Sequence, residues 1–212
     1  MILYGASMSP FVRKTMAYLA EKGLEADIVP EGLGSKNPDF HSASPFGKIP
    51  AFRDGDFAIS DSTAIITYLE AKYPEPPLIP ASPESRARTV WYEEFADSIL
   101  VGKLGVIFFN RVVLPRFMGK EGDLAAAAKA ETEDLPPLLD YLEGNIPKSG
   151  FLVDDRLTLA DLAVASPFVN MDHSGIELDW ASHPKPTTYV NAILARPSFA
   201  PIVAREKAFF AR

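Results

Sequence analysis

The chain has 212 residues, 47% hydrophobic and 23% charged, with a net charge of −7 at pH 7. This is the composition of a folded globular protein, and an acidic balance spread along the whole length leaves no basic stripe for a phosphate backbone, so nucleic acid is not an expected partner. The absence of cysteine excludes disulfides, thiolate metal sites, iron–sulfur clusters and a cysteine nucleophile, and the three histidines lack metal-ligand spacing, so no metal is expected.

The opening segment, MILYGASMSP, lacks the charged flank and long apolar stretch of a secretory signal. No apolar run approaches the ~20 residues of a membrane span, so a cytoplasmic protein without membrane contact is expected. Ile2-Leu3-Tyr4 reads as a short strand ended by Gly5, and Ala26–Val29 as a second ended by Pro30. Between them Val12, Met16, Leu19 and Ala20 recur as one buried helix face, opened by Ser9-Pro10 and closed by Gly23. A right-handed β-α-β unit with parallel strands follows. Ile49–Phe52 and Phe57–Ile59 flank Asp54-Gly55-Asp56, a hairpin signal. Ser60-Asp61-Ser62 then starts a helix that carries Ala64, Ile65, Tyr68, Leu69 and Lys72 on one side and stops at Pro74. The order describes a thioredoxin-like α/β domain over residues 1–76.

The proline-rich run PEPPLIPASP contains the linker, placed at 77–83. Beyond it strand signals almost vanish, and residues 84–212 read as an all-α domain. Trp91, Phe95, Ile99, Gly102, Val106, Phe109, Val113 and Phe117 step by three and four, which predicts a long helix from about Glu84. Ala125–Glu143 predicts another, kinked or broken at Pro136-Pro137. Thr158-Leu-Ala-Asp161 is a capping-box variant ahead of an apolar helix, and Ser198–Phe210 is the expected last helix.

Ser9 stands between the first strand and helix, Ile49-Pro50 precedes the third strand, and Asp61-Ser62 opens the helix after the hairpin. In a thioredoxin-like sheet these points converge at one edge. The segments SPFVRK, SPFGKIPAF and ISDSTAIITYLEAKYP resemble the N-terminal domain of the glutathione transferase family. LTLADL and YVNAILARPSFAP are similar to its helical C-terminal domain. The Ser-Pro-Phe motif resembles the serine-type classes, and SPFGKIPAF most resembles the plant phi class and its bacterial relatives.

The resemblance implies glutathione as co-substrate and an apolar electrophile as its partner. It implies a cis Pro50 with Ile49 pairing to the cysteinyl backbone, Asp61 on the γ-glutamyl ammonium and Ser62 on the γ-glutamyl carboxylate. Asp61 stands where the family more often has Glu, one methylene longer. Lys36 and Lys48 would meet the glycyl carboxylate, and Phe11 would line the site. Taken alone, the same residues also read as a strand-opening proline, a helix cap and two solvated lysines.

Ser9 is the expected thiolate donor. A free thiol with pKa ~8.5 is only about 3% ionised at pH 7, and lowering it by ~2 units makes it roughly three-quarters thiolate, for about 2.7 kcal/mol. A hydroxyl donor and a helix N-terminus are physically adequate sources for much of that. Ser9 is equally placed as an ordinary N-cap, and Ser7 and Tyr4 are rivals in the same segment. For the electrophile, Phe11, Leu104, Phe108, Phe109, Arg111, Met118 and Phe209-Phe210 are candidates. Arg13 is expected to face solvent or the domain interface. The expected activity is conjugation of glutathione to an electrophilic carbon, and the resemblance implies a homodimer; Trp91 and Phe95 read equally as interface residues or as core. The alternatives are peroxide reduction by glutathione and a noncatalytic binding or assembly module.

Overall fold

The computed structural model describes residues 1–32, 34–176 and 181–211. β1 (Ile2–Tyr4) leads through α1 (Pro10–Glu21) to β2 (Asp27–Val29), which lies parallel to β1 with Leu3 beside Ile28. After the short α2 (Pro38–Ala43), β3 (Ala51–Asp54) pairs antiparallel with β1 and, across a turn at Gly55-Asp56, with β4 (Phe57–Ser60). α3 (Ser62–Lys72) completes a sheet of order β2-β1-β3-β4. Strand alternation sends Leu3 and Phe52 into the core shared with α1 and α3, and Tyr4 and Ala51 against Phe40 of α2.

The buried face of α1 differs from the expected one. Val12, Thr15, Ala17, Tyr18 and Leu19 are buried, Ala20 is exposed, and the charged Arg13 and Lys14 are buried as well. Both cations point into the helical domain, so the polar side of this helix is an internal surface.

That domain begins with a 35-residue rod from Pro83 to Phe117. It comprises α4 (Pro83–Glu94), α5 (Val101–Phe108) and α6 (Leu114–Phe117), joined by π-helical turns at Phe95–Leu100 and Phe109–Val113. Its core-facing column includes Tyr92, Ala96, Leu100, Leu104, Ile107 and Val112, whereas Trp91, Ile99 and Phe109 of the expected stripe are exposed. Two adjacent apolar columns have the same spacing, and periodicity does not say which faces inward. By length and composition an 18-residue stretch of this rod is apolar enough to cross a membrane, although charged residues interrupt it. Here it packs against the interior helix of the bundle.

α7 (Leu124–Lys129) passes through a π turn at Ala130–Asp134 into α8 (Leu135–Asn145). The chain is not broken at Pro136-Pro137, because the wide turn sets both prolines in the first turn of α8, where a missing N–H is tolerated. α9 (Leu159–His173) is the buried centre, flanked by α10 (Pro184–Leu194) and α11 (Ala200–Phe210). Asp161 accepts from the backbone N–H of Thr158 at 2.8 Å, as the capping box requires, and also from that of Leu152 at 2.9 Å. Burial pushes its carboxyl up to about 6 against those donors.

Three charged contacts dock the two domains. Arg13 meets Glu206 of α11, Lys14 meets Glu93 and Asp97, and Arg196 grips Glu21 through two bonds of 2.7 and 3.0 Å.

Gly5 ends β1 at φ +149°, and a Cβ built there would lie 2.6 Å from a methyl of Val12 and 3.4 Å from Ile49. Only glycine lets the strand end, α1 and the Ile49-Pro50 segment approach this closely. We expect Gly5→Ala to cost about 2–3 kcal/mol from overpacking and backbone strain, read as a lower denaturant midpoint with an unchanged slope.

Candidate functional site

Ser9 is the N-cap of α1, with extended backbone at φ −73° and ψ 126°. Its hydroxyl oxygen accepts from Val12 N–H at a long 3.5 Å. Capping uses an oxygen lone pair, which leaves the O–H as a donor. Cap and thiolate donor are therefore compatible roles for one side chain. Ser7, two residues earlier, has its hydroxyl beside Glu206. Burial works to raise that carboxyl, but the bond from His173, the charge of Arg13 and the Ser7 hydroxyl hold it below its ordinary value.

The Ile49–Pro50 peptide is cis, and the Pro50 carbonyl accepts from the N–H of Asp61 at 3.1 Å. Asp61 holds φ +87°, unusual for a residue other than glycine. Its Oδ1 caps α3 by accepting from Thr63 and Ala64 N–H at 2.9 and 3.0 Å. Asp61 rather than Ser60 is thus the cap. Ser62 follows as the first residue of α3, buried, with its hydroxyl 3.5 Å from Asp97 Oδ2.

Phe11, Lys48, Ile49, Pro50, Asp61 and Ser62 line a single groove of 1090 Å³ between the domains. The groove also takes in Asp97, Glu94 and Ser98 from the long rod, residues that sequence reading missed. The only signal was a pair of acidic residues, Glu93 and Asp97, one helical turn apart on an apolar helix. Behind them Lys14 Nζ donates to Glu93 Oε1 at 2.8 Å and Asp97 Oδ2 at 2.6 Å, and Thr63 adds a bond to Glu93 at 2.8 Å. Burial pushes Asp97 up to about 6, although the Lys14 charge and hydrogen bond oppose it.

Not every expected residue gathers there: Ser9 caps the turn that carries Phe11 but does not itself line the groove. Lys36 is exposed next to the Asn37 cap of α2 and does not line the groove. Tyr4 packs against Phe40 in the smaller core. Of the electrophile candidates, Leu104 is buried core and Arg111 is ion-paired to Glu131. Phe209 borders a 590 Å³ cavity on the other side of the Ser9 loop, together with Gly5, Ala6, Met8, Met16 and Ile28. Phe209 also stacks on Phe117 at 6.0 Å, and the Arg116 guanidinium lies 5.3 Å over Phe210.

Comparison with known proteins gives a consistent picture. The family described as glutathione S-transferase, N-terminal domain, matches residues 3–77, and the corresponding C-terminal domain matches residues 108–197. Glutathione S-transferase 3 of Zea mays is 33% identical over 211 residues, which is 95% of this chain and 92% of that protein. The structure of a glutathione S-transferase I bound with lactoylglutathione superposes with a TM-score of 0.84 at 27% identity, over 95% of this chain and 97% of that one. A maize glutathione S-transferase I in complex with an atrazine glutathione conjugate gives 0.81 at 28% identity, over 95% of each chain. On matched domains, sequence identity and fold together, the chain belongs to the glutathione S-transferase family.

Proposed function

We propose that this chain binds glutathione in the groove between its domains, activates the thiol with Ser9 and transfers the tripeptide to an electrophilic carbon of an apolar small molecule. The observation that carries the reading is a juxtaposition. A cis Ile49–Pro50 bond, the N-terminus of α3 with its Asp61-Ser62 pair, and Phe11 of the first turn of α1 line one groove, and Ser9 caps that same turn. Each meets one part of a zwitterionic tripeptide.

Ile49, freed by the cis bond from continuing the strand regularly, offers its backbone to the cysteinyl residue. The N-terminus of α3 and the Ser62 N–H attract the γ-glutamyl carboxylate. Asp61 caps with one oxygen and turns the other to the γ-glutamyl ammonium. The shorter Asp is compensated by Asp97 across the groove, a second carboxylate beside Ser62. Lys48, exposed on the rim, takes the glycyl carboxylate. Ser9, at the N-terminus of α1, is the hydroxyl that meets the sulfur, while Ser7 sits beside Glu206. It donates a hydrogen bond and forms no covalent intermediate. The cavity bordered by Phe209 and Ala6–Met8 lies across the same loop and suits an apolar electrophile. A cysteine-free chain is indifferent to a reducing compartment, which agrees with a cytoplasmic setting.

A homodimer is part of this proposal. Phe46, in the loop before β3, is 89% exposed, far more than an aromatic ring on a finished surface. A 370 Å³ pocket lined by Trp91, Tyr92, Tyr141 and the stem of Arg88 lies on the helical domain. A ring and an aromatic pocket on one chain form an isologous pair, each protomer filling the other's pocket. Trp91 belongs to that surface, but Phe95 is buried core and contributes only by stacking beneath Trp91 at 5.6 Å.

Ser9→Ala should lower turnover of a chloronitrobenzene substrate more than tenfold while the protein still binds immobilised glutathione. Loss of ~1 kcal/mol of stability with turnover intact would reduce Ser9 to a cap. The KM for glutathione should rise as pH falls through about 6, where Asp97 takes up a proton, and Asp97→Asn should raise KM at pH 7 and flatten that dependence. Phe46→Ser should shift sedimentation from dimer to monomer; an unchanged sedimentation coefficient at micromolar concentration would overturn the proposed interface.

A further inference from the structure

We infer that Ser166 and Asn170, on the central helix of the helical domain, are positioning residues that set the Ser9 hydroxyl from the opposite domain. The inference rests on Ser9 being the thiolate donor.

The two side chains lie one turn apart on α9 and therefore share a face. Ser166 Oγ donates to the carbonyl of Pro10 at 2.8 Å. Asn170 Nδ2 donates to the carbonyl of Met8 at 2.8 Å. The Met8 carbonyl belongs to the peptide plane that enters Ser9, and the Pro10 carbonyl to the first turn of α1, one plane beyond the one that leaves it, so the backbone on both sides of Ser9 is held by one helix of the other domain. Holding the chain on either side of Ser9 restrains the Cα–Cβ direction from which its hydroxyl projects.

The clamp is itself braced. Arg13 Nη1 donates to Ser166 O at 2.7 Å and to Asn170 Oδ1 at 2.9 Å, which settles the Asn170 amide with its Nδ2 toward Met8. Arg13 Nη2 adds a longer 3.4 Å contact to the Met8 carbonyl, and the guanidinium ends on Glu206. Arg13, Ser166, Asn170 and Glu206 are all at most 4% exposed. A network this dry holds its geometry, because water cannot replace a lost bond at low cost. Simple domain docking does not require donors aimed at carbonyls on either side of one residue, and apolar packing achieves docking at no greater cost. Catalytic geometry does require it, since a displacement of about 1 Å at a reacting group can cost roughly a hundredfold in rate.

The test uses the full-length protein and four variants: Ser166→Ala, Asn170→Ala, their double and Ser9→Ala. The thiolate absorbance of bound glutathione is titrated against pH, and kcat and KM are measured with a chloronitrobenzene substrate. We expect Ser166→Ala and Asn170→Ala each to move the thiol titration upward by at least half a pH unit and to lower kcat about tenfold, the double more. The KM for glutathione should stay within about threefold, since the Pro50 and Asp61 end is untouched. Wild-type titration in both single variants, with Ser9→Ala shifted, would overturn the clamp alone. An unshifted Ser9→Ala would overturn the Ser9 reading and the clamp with it. Asn170→Ala leaves Arg13 one acceptor short; should it fail to fold, Ser166→Ala decides, as alanine is favourable within a helix.

Discussion

One buried charge organises this molecule. The Arg13 guanidinium has no exposed surface, and its donors are taken up by Glu206, Ser166, Asn170 and the Met8 carbonyl. Burying an unpaired cation costs several kcal/mol, and stripping one partner from a buried pair typically costs about 3–5 kcal/mol. Burial accordingly draws Arg13 below its ordinary range while Glu206 opposes the fall. None of its side-chain partners belongs to the domain that carries Arg13. The sheet domain therefore cannot satisfy its own first helix, and the two halves are bound to one arrangement by that debt.

The groove inherits its electrostatics from the same docking. Lys14, one residue further along α1, is buried between Glu93 and Asp97, and the second oxygen of Glu93 has no hydrogen-bond partner among the described residues. Two carboxylates sharing one lysine leave an excess of negative charge on the rod side, which suits an ammonium. The N-terminus of α3 supplies the complementary attraction for a carboxylate a few ångströms away. Such a pair of opposite poles favours a zwitterion over either a simple anion or a cation.

The sheet domain was legible because its signals are local. Asp-Gly between two apolar runs, Ser-Pro before an amphipathic stretch and Asp-Ser after the hairpin each specify a turn or a cap within a few residues. The cis bond at Pro50 was implied only by family resemblance, since nothing in the dipeptide distinguishes it from a strand start. The helical domain was read as helices but not as faces. Ile99 and Leu100 are equally apolar, and only the packing of α9 decides that Leu100 is inside. Asp97 and the Ser166–Asn170 pair escaped for a related reason. Their meaning lies in contacts across more than 30 residues of chain, and a lone polar residue on an apolar helix looks like any solvated position. Phe46 escaped in the opposite way, because an apolar residue in a loop is read as buried until its exposure is seen.

The π turn at Phe95–Leu100 has a consequence for how the long rod tolerates change. A π turn accommodates one more residue than an α turn, and one residue of α-helix corresponds to about 100° of rotation. The widened turn takes up its surplus residue within about one revolution, so the angular phase between Trp91 on one side and Leu104 and Ile107 on the other is nearly that of a helix one residue shorter. Deleting a single residue there would return the stretch to regular α-helix with the downstream half of the rod still facing the core. The same deletion in the flanking α-helix would rotate everything beyond it by about 100°, so a π turn is where the rod can change length without turning its faces.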